Sequence, residues 1–170
     1  MTSEGGKRSM RGSERFTQRA STAITKAHDA ALGMGHSYVG TEHLLLGIIR
    51  EGEGLGARIL TDNALTDAVL TRMVTETVGR GVPGAPEQGL SPRARHVIEL
   101  AAEDANRLGH CYVGTEHILM GILREADSAG ARIIVAAGGD LNKIYRRTYN
   151  DTTLYKPVKG DWYIELDHSR

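Results

Sequence analysis

Residues 35–51 read GHSYVGTEHLLLGIIRE, and residues 109–125 read GHCYVGTEHILMGILRE. The two blocks are identical at 13 of 17 positions and lie 74 residues apart. The same offset carries Thr17 onto Ser91, and the Gly-Ala-Arg-Ile quartet that begins at residue 56 onto the one that begins at residue 130. An internal repeat of this kind is the sequence signature of a duplicated structural unit. The chain therefore contains two copies of one unit, which together span residues 16–151.

The start of each copy has the features of a helix N-terminus. Thr17 and Ser91 are hydroxyl residues that suit the N-cap position, and a proline follows Ser91 at the first helical position. Apolar residues then recur at spacings of three and four until Gly35 ends the first helix. Thr41 and Thr115 are expected to cap second helices, each with one buried stripe of leucine and isoleucine.

Two further helices complete each copy. The third is predicted at 57–60 and at 131–135, and the fourth at 65–78 and at 141–152. Copies of roughly 70 residues made of short helices would be marginally stable alone, so we expect them to share one core. The predicted fold class is all-α, with two pseudo-twofold four-helix repeats that form one compact domain.

The composition divides the chain into five segments. We predict repeat 1 at 16–78 and repeat 2 at 91–153. A flexible arm of glycine, serine and charged residues is predicted at 1–15, and a surface linker punctuated by glycine and proline at 79–90. The C-terminal tail, 154–170, contains an alternating Trp-Tyr-Ile-Glu-Leu run. This run is interpreted as an extended tail lying on the domain or, alternatively, as a docking peptide for a partner.

Charge and hydropathy exclude two classes of partner. With 21 basic and 21 acidic residues, the chain has no net field to attract nucleic acid or an anionic membrane. The longest apolar run, at 44–49, is far shorter than the roughly 18 residues of a membrane span. The single cysteine, Cys111, cannot form an intramolecular disulfide and fits a reducing compartment. We therefore expect no nucleic-acid or membrane partner and a cytoplasmic location.

The sequence carries no specific catalytic or cofactor motif. No G-x-x-x-x-G-K-[ST] loop occurs, so no P-loop nucleotide site is predicted. Four histidines recur with the repeats: His36, His43, His110 and His117. Helical metal pairs have histidines four residues apart, whereas the histidines of each repeat are seven residues apart with a loop between them. We expect them to make structural hydrogen bonds at the helix–loop junction, and we predict no catalytic residue, metal site or cofactor.

The repeated blocks resemble a known family. The motif G-H-x-Y-V-G-T-E-H-[IL]-L-x-G-I-[IL]-R-E, with Phe-Thr-x-Arg-Ala at 16–20 and Ser-Pro-Arg-Ala at 91–94, resembles the double Clp repeat. This is the N-terminal domain of Hsp100/Clp unfoldases, nearest to the ClpC type, and the resemblance covers residues 16–151. It implies an all-helical domain that receives substrates and adaptor proteins for an ATP-driven unfoldase working with a Clp peptidase. The two ATPase modules of such an unfoldase do not occur in these 170 residues, which are expected to be a stand-alone repeat domain or a piece of a longer chain.

The two copies differ just after the second helix. Residues 50–54 read REGEG, as is common in the family, whereas residues 124–128 read READS. The resemblance therefore does not carry partner contacts onto that side of repeat 2.

The strongest candidates for a binding site are Glu42 and Glu116, each one residue after the repeated threonine. A carboxylate in the first turn interacts favourably with the helix dipole by about 0.3–1 kcal/mol, so this position needs no ligand. A carboxylate can also accept two parallel hydrogen bonds from a guanidinium, while N–H groups at a helix start can hold a phosphate. In the ClpC type the equivalent positions are associated with phosphoarginine. The resemblance therefore implies two similar phosphoarginine sites, Thr17 with Glu42 and Ser91 with Glu116.

The sequence thus favours a non-enzymatic substrate- and adaptor-binding module of Clp-dependent protein quality control. Its expected partners are protein clients or adaptors and a Clp unfoldase, with phosphoarginine as a ligand. Such a module could deliver marked clients to the unfoldase, or it could occupy adaptors and ligands as a decoy. The alternative from another class is a small metal- or nucleotide-dependent hydrolase that uses the repeated Thr-Glu-His.

Overall fold

Eight α-helices form the secondary structure of residues 15–154, which are the residues that a computed structural model describes. Repeat 1 contains α1 (Gln18–Gly33), α2 (Thr41–Glu51), α3 (Leu55–Asp62) and α4 (Asp67–Thr77). Repeat 2 contains α5 (Pro92–Arg107), α6 (Thr115–Arg124), α7 (Ala129–Ala136) and α8 (Leu141–Leu154). The predicted all-α fold is confirmed. The predicted tail from residue 155 onward and residues 1–14 of the predicted arm lie outside the described residues.

The first helix of each repeat begins where the sequence predicts. The Thr17 hydroxyl accepts a hydrogen bond from the Ala20 N–H at 3.0 Å, and the Ser91 hydroxyl accepts one from the Ala94 N–H at 3.1 Å. Both residues are therefore N-caps in the ordinary sense. Gly35 follows the end of α1 with a φ of 74°, a left-handed conformation that glycine adopts at low cost. The local sequence accounts for both ends of α1.

The prediction that Thr41 and Thr115 cap the second helices is wrong. The N-caps are the preceding glycines, and each threonine is the first helical residue. The Thr41 hydroxyl accepts the N–H of Gly130 at 2.8 Å, and the Thr115 hydroxyl accepts the N–H of Gly56 at 3.0 Å. Each threonine thus bonds to the third helix of the opposite repeat. Its hydroxyl therefore joins the two repeats and does not cap its own helix.

The shorter helices have somewhat different bounds from those predicted. α3 and α7 each contain eight residues and begin two residues earlier than expected. α4 begins later than expected, because the Thr66 hydroxyl accepts the Val69 N–H at 3.3 Å and so acts as its N-cap. These differences are at the helix ends and leave the predicted order of elements unchanged.

The second helices form the centre of the core. Nine residues of α2 and nine of α6 are buried, including Leu45 and Leu119, which are fully buried. The predicted single buried stripe is therefore too narrow, because neighbouring helices cover α2 and α6 on all sides. Gly47 lies against the backbone of Ala23 in α1, and a Cβ built on Gly121 would lie 2.6 Å from the Val97 carbonyl oxygen in α5. Glycine at these positions allows the helix backbones to approach closely.

The two repeats are joined by reciprocal contacts. The Thr17 N–H donates to the Val113 carbonyl at 2.9 Å, and the Ser91 N–H donates to the Val39 carbonyl, also at 2.9 Å. Isolated parallel bridges pair Phe16 with Val113 and Val39 with Leu90. Such paired contacts are what a twofold arrangement of two copies produces. Buried side chains from both repeats belong to one hydrophobic cluster, as the shared core predicts.

The linker between the repeats follows the surface of repeat 1. The Gly81 N–H donates to the Met34 carbonyl at 2.9 Å, and a Glu87 carboxylate oxygen lies 2.8 Å from the Nδ1 of His28 in α1. The same carboxylate accepts the Gly89 N–H at 3.1 Å. These bonds lead the chain to Ser91, where α5 begins against repeat 1. Across residues 15–154, no helix combines the length and apolar character that a bilayer crossing requires.

Candidate functional site

The structure brings together the four predicted site residues, but in the opposite pairing from the one expected. Thr17 shares a pocket with Glu116, and Ser91 shares a pocket with Glu42. The predicted pairs within each repeat are therefore wrong. The reciprocal bonds to Val113 and Val39 hold the start of each first helix against the second helix of the opposite repeat. Each pocket is consequently built from both repeats.

Most of the residues that line the two pockets correspond through the 74-residue offset. We name them after their glutamates. The Glu116 pocket is lined by Thr17, Arg19, Gly54, Leu55, Tyr112, Thr115 and Glu116. The Glu42 pocket is lined by Ser91, Arg93, Ser128, Ala129, Tyr38, Thr41 and Glu42, and also by Gly40 and Asp127, whose counterparts do not line the Glu116 pocket.

Three helix N-termini converge on each pocket. The starts of α1, α3 and α6 meet at the Glu116 pocket, and those of α5, α7 and α2 meet at the Glu42 pocket. A helix start exposes N–H groups without intrahelical partners and carries the positive end of the helix dipole. Arg19 in one pocket and Arg93 in the other add a guanidinium. This part of each pocket therefore favours an anion such as phosphate.

A buried glutamate supplies the opposite charge in each pocket. Glu42 is 8% exposed and Glu116 is 4% exposed. Burial raises the pKa of Glu42, although a hydrogen bond with its own backbone and the nearby His36 partly oppose the shift. A buried carboxylate is costly unless it is paired with a cation or well hydrogen-bonded. A guanidinium that entered the Glu42 pocket would supply such a cation.

Histidines fix the backbone beside Glu42. The Gly40 N–H donates to His43 Nδ1 at 2.9 Å, His43 Nε2 lies 2.7 Å from His36 Nδ1, and His36 Nε2 lies 2.7 Å from the Gly79 carbonyl oxygen. Because a carbonyl can only accept, His36 donates from Nε2, and His43 then donates from Nε2 to His36. Burial lowers the pKa of His43 to about 4, which keeps this ring neutral. Its Nδ1, 4.0 Å from Glu42, therefore carries no proton for that carboxylate.

Repeat 2 contains the counterparts of the first two of these contacts. The Gly114 N–H donates to His117 Nδ1 at 2.9 Å, and His117 Nε2 lies 3.0 Å from His110 Nδ1. Burial lowers the pKa of His117 to about 3. The predicted structural role of the repeated histidines at the helix–loop junction is confirmed. Within residues 15–154, no group of three or more His, Cys, Asp or Glu side chains is placed to hold a metal ion.

The two pockets differ in size despite their common plan. The Glu42 pocket encloses about 270 Å³, whereas the Glu116 pocket encloses about 10 Å³, room for roughly one water molecule. The exposure of the equivalent tyrosines follows the pocket volumes: Tyr38 of the larger pocket is 47% exposed, and Tyr112 of the smaller pocket is 6% exposed. Of these two pockets, the Glu42 pocket alone has space for a small ligand.

The arginines of the two pockets were not predicted as site residues. Arg19 and Arg93 follow the N-caps by two residues in both copies, so their recurrence is visible in the repeat. The starts of α3 and α7 were also missed as parts of the site. No local sequence signal predicts that these helix starts line a pocket, because each reaches its pocket through contacts with the opposite repeat.

The fold and the pockets define a class of protein: an all-helical domain of two repeats with a pair of charged pockets between them. A family model described as the Clp repeat (R) N-terminal domain matches residues 15–137, and the chain belongs to this family. A second model, for a domain of unknown function, matches residues 122–170.

Curated relatives include much longer Clp proteins. The chain is 44% identical over 129 residues to the negative regulator of genetic competence ClpC/MecB of Bacillus subtilis (strain 168). It is 41% identical over 129 residues to the chaperone protein ClpB of Oceanobacillus iheyensis. In both comparisons the match covers 76% of this chain but 16% of the relative. The chain therefore spans about a sixth of the length of these relatives.

Solved structures show the same fold. The N-terminal domain of the chaperone ClpD from Arabidopsis thaliana matches with a TM-score of 0.70 and 24% identity, over 82% of this chain and 95% of that one. The N-domain of ClpV in a complex with VipB peptide matches with a TM-score of 0.64 and 16% identity, over 82% of this chain and 87% of that one. At these identities, the likeness concerns the fold alone.

Proposed function

We propose that this chain is a non-enzymatic binding module of Clp-dependent protein quality control, which receives protein clients or adaptors by recognising phosphorylated arginine. Membership of the Clp repeat N-terminal domain family supports the general role. The ClpV N-domain, which shares the fold, has been solved with a VipB peptide, so a domain of this shape can bind a polypeptide segment. We place the protein in the cytoplasm, together with a Clp unfoldase as its partner.

The observation that carries the ligand assignment is the presence of both charges in one pocket. In the Glu42 pocket, a buried carboxylate lies beside three helix N-termini and Arg93. A phosphorylated guanidinium offers a matching pair of groups: N–H donors for the carboxylate and phosphate oxygens for the helix starts. Unmodified arginine lacks the anion and phosphoserine lacks the guanidinium, so each should bind much more weakly than phosphoarginine.

Calorimetry with free phosphoarginine tests this assignment. Glu42→Gln keeps the shape of the side chain but removes its charge, and it should weaken binding at least tenfold. This factor corresponds to the roughly 1.5–3 kcal/mol that a hydrogen bond to a charged group contributes. Asp67→Asn is the matched control, because Asp67 is also a first-turn carboxylate but lies outside both pockets.

Two results would contradict the assignment. Equal affinity for phosphoserine would indicate a nonspecific anion site. An absence of phosphoarginine binding at millimolar concentration, with helicity intact by circular dichroism, would leave the repeats as a protein-docking surface only.

The repeated Thr-Glu-His is better suited to structure than to hydrolysis. The Thr41 hydroxyl accepts the Gly130 N–H, and both ring nitrogens of His43 are hydrogen-bonded. Neither side chain is free to activate water. We therefore assign any ATP-dependent step to a partner.

Purified protein is accordingly expected to hydrolyse neither ATP nor peptides. The measurement is phosphate release and peptide cleavage, each compared with a buffer blank. Turnover that disappears in His43→Asn would assign the chain to the hydrolase class. A pull-down with the matching unfoldase would then separate the two roles: delivery predicts a ternary complex with client, and a decoy predicts that client or adaptor is withheld from the unfoldase.

A further inference from the structure

An aromatic side chain, Tyr38, forms part of the wall of the Glu42 pocket. It lies in the loop between α1 and α2, four residues before Glu42, and both residues line the pocket. The Tyr38 side chain is exposed, so part of its ring faces water instead of the core. An exposed aromatic ring in the wall of a pocket is a surface on which a flat cationic group can stack.

The linker between the repeats holds Tyr38 in place. The Gln88 N–H donates to the Ser37 carbonyl at 2.6 Å, and the Val39 N–H donates to the Gly89 carbonyl at 2.9 Å. The Tyr38 hydroxyl itself donates to Gln88 Oε1 at 3.3 Å. The backbone on each side of Tyr38 and the end of its ring are therefore bonded to the linker. A ring fixed in this way loses little conformational freedom when a ligand binds.

Within residues 15–154, no aromatic or histidine ring stacks on Tyr38. The equivalent residue of repeat 2, Tyr112, does have such a partner. Its ring lies nearly parallel to that of His110, with the centroids 5.1 Å apart and an angle of 8° between the planes. A tyrosine at this position of the repeat can therefore stack on a flat, nitrogen-containing group.

A guanidinium has two kinds of surface that a pocket can bind. Its N–H groups point outward in the plane, where a carboxylate can accept them, and its face can stack on an aromatic ring. Glu42 and Tyr38 supply both of these partners in one pocket. The ammonium group of lysine has no flat face, so it can use the carboxylate but cannot stack on the ring.

We propose that Tyr38 is a specificity-determining residue of the Glu42 pocket: its ring stacks on the guanidinium of the bound ligand, while Glu42 accepts the N–H groups at the guanidinium edge. This proposal rests on the proposed function and adds a residue to the site. It assigns the preference for a flat guanidinium over an ammonium to the Tyr38 ring. It also gives the linker a role in binding, because Gln88 positions that ring.

Titration calorimetry of the whole chain with free phosphoarginine tests the proposal. Tyr38→Leu keeps an apolar side chain but removes the aromatic face, and the loss of a cation–π contact should weaken binding about threefold to tenfold. Tyr38→Phe retains the face and should stay within about twofold of wild type. The matched control is Tyr149→Leu, which should bind as wild type does, because Tyr149 is also exposed but does not line the Glu42 pocket.

Proton NMR of the ligand separates stacking from a general change in the pocket. A methylene group beside a guanidinium that stacks on an aromatic ring is shifted upfield by the ring current. The δ-methylene signal of phosphoarginine should therefore move upfield on binding to wild type and to Tyr38→Phe. At saturating ligand, this shift should be absent with Tyr38→Leu.

The outcomes distinguish this proposal from the proposed function. If wild type binds phosphoarginine, an unchanged affinity of folded Tyr38→Leu, or an upfield shift that persists in that variant, would overturn the role of Tyr38 and leave the proposed function intact. Binding by Tyr38→Phe as weak as that by Tyr38→Leu would also overturn it, because the hydroxyl would then matter and not the ring. No binding by wild type would overturn the proposed function itself. If Tyr38→Leu does not fold, Tyr38→Gln serves instead with the same expectations.

Discussion

Burial acts in opposite directions on the pKa values of two adjacent side chains, Glu42 and His43. It raises the pKa of Glu42 and lowers that of His43 to about 4, because removal from water disfavours the charged form of both groups. His43 accommodates this by staying neutral within its hydrogen bonds. A hydrogen bond with its own backbone and the nearby His36 compensate the ionised Glu42 only in part, so its burial still costs stability.

The buried histidines should make the fold sensitive to acid. His43 and His117 have pKa values of about 4 and about 3 in the folded chain, below the ordinary value of 6.5. Their neutral forms therefore contribute stability that is fully present above pH 6.5. This contribution is lost as the pH falls from 6.5 toward 4 and 3, by at most about 1.4 kcal/mol per pH unit for each histidine.

Urea unfolding between pH 7 and pH 4 measures this effect. His43→Asn keeps an acceptor for the Gly40 N–H but does not titrate, so its free energy of unfolding should fall less steeply with decreasing pH than that of wild type. His96→Asn is the control, since the His96 side chain is half exposed. Identical slopes for wild type and His43→Asn would contradict the role assigned to His43.

At the residue scale, the sequence predicts contacts within one helix turn but not contacts across the repeats. The caps by Thr17 and Ser91 involve donors three residues away and were predicted correctly. Thr41 has the same residue type as Thr17, yet its partner, Gly130, lies 89 positions away. A threonine before a helical pattern does not reveal whether its hydroxyl turns toward its own helix or toward another.

At the scale of elements, the close approach of α1 to α2 limits the residue at position 47. A Cβ on Gly47 would clash with the Ala23 backbone, and backbone atoms cannot move aside as a flexible side chain does. Gly47→Ala should therefore destabilise the fold by about 1–3 kcal/mol, despite the higher helix propensity of alanine.

The control for Gly47 is Gly33→Ala in the last residue of α1. A Cβ built there has no atom within 4 Å, so this change should leave stability unchanged or raise it by up to about 1 kcal/mol. Thermal or urea unfolding of both variants gives the comparison. A Gly47→Ala protein as stable as Gly33→Ala would show that α1 and α2 do not pack as described.

The second helices show why element patterns were predicted only in part. The leucine and isoleucine spacing correctly placed Leu45 and Leu119 in the core. The polar Thr41, Glu42 and His43 lie outside the predicted stripe, yet they are buried because the opposite repeat covers the start of α2. An apolar stripe in the sequence indicates that a helix packs against one neighbouring helix. It does not reveal how many further helices cover the remaining faces.

At the scale of the whole molecule, the 74-residue offset identifies the equivalent residues of the two repeats. It does not predict which residues are in contact in the folded structure. Each site could be formed by residues of one repeat, or by residues contributed from both repeats. The same sequence repeat is compatible with either arrangement. The bonds from Thr17 to Val113 and from Ser91 to Val39 show that, in this fold, each pocket contains residues of both repeats. The two repeats must therefore pack together before either pocket exists.

The formation of a ligand site from both repeats is tested most directly by an NMR titration of the ¹⁵N-labelled chain with phosphoarginine. We predict that the perturbed backbone amides cluster at 40–42, 91–93 and 128–129, the three helix starts of the Glu42 pocket. Perturbations centred on Glu42 and Thr17 without Ser91 would contradict it, because they would place the site within one repeat.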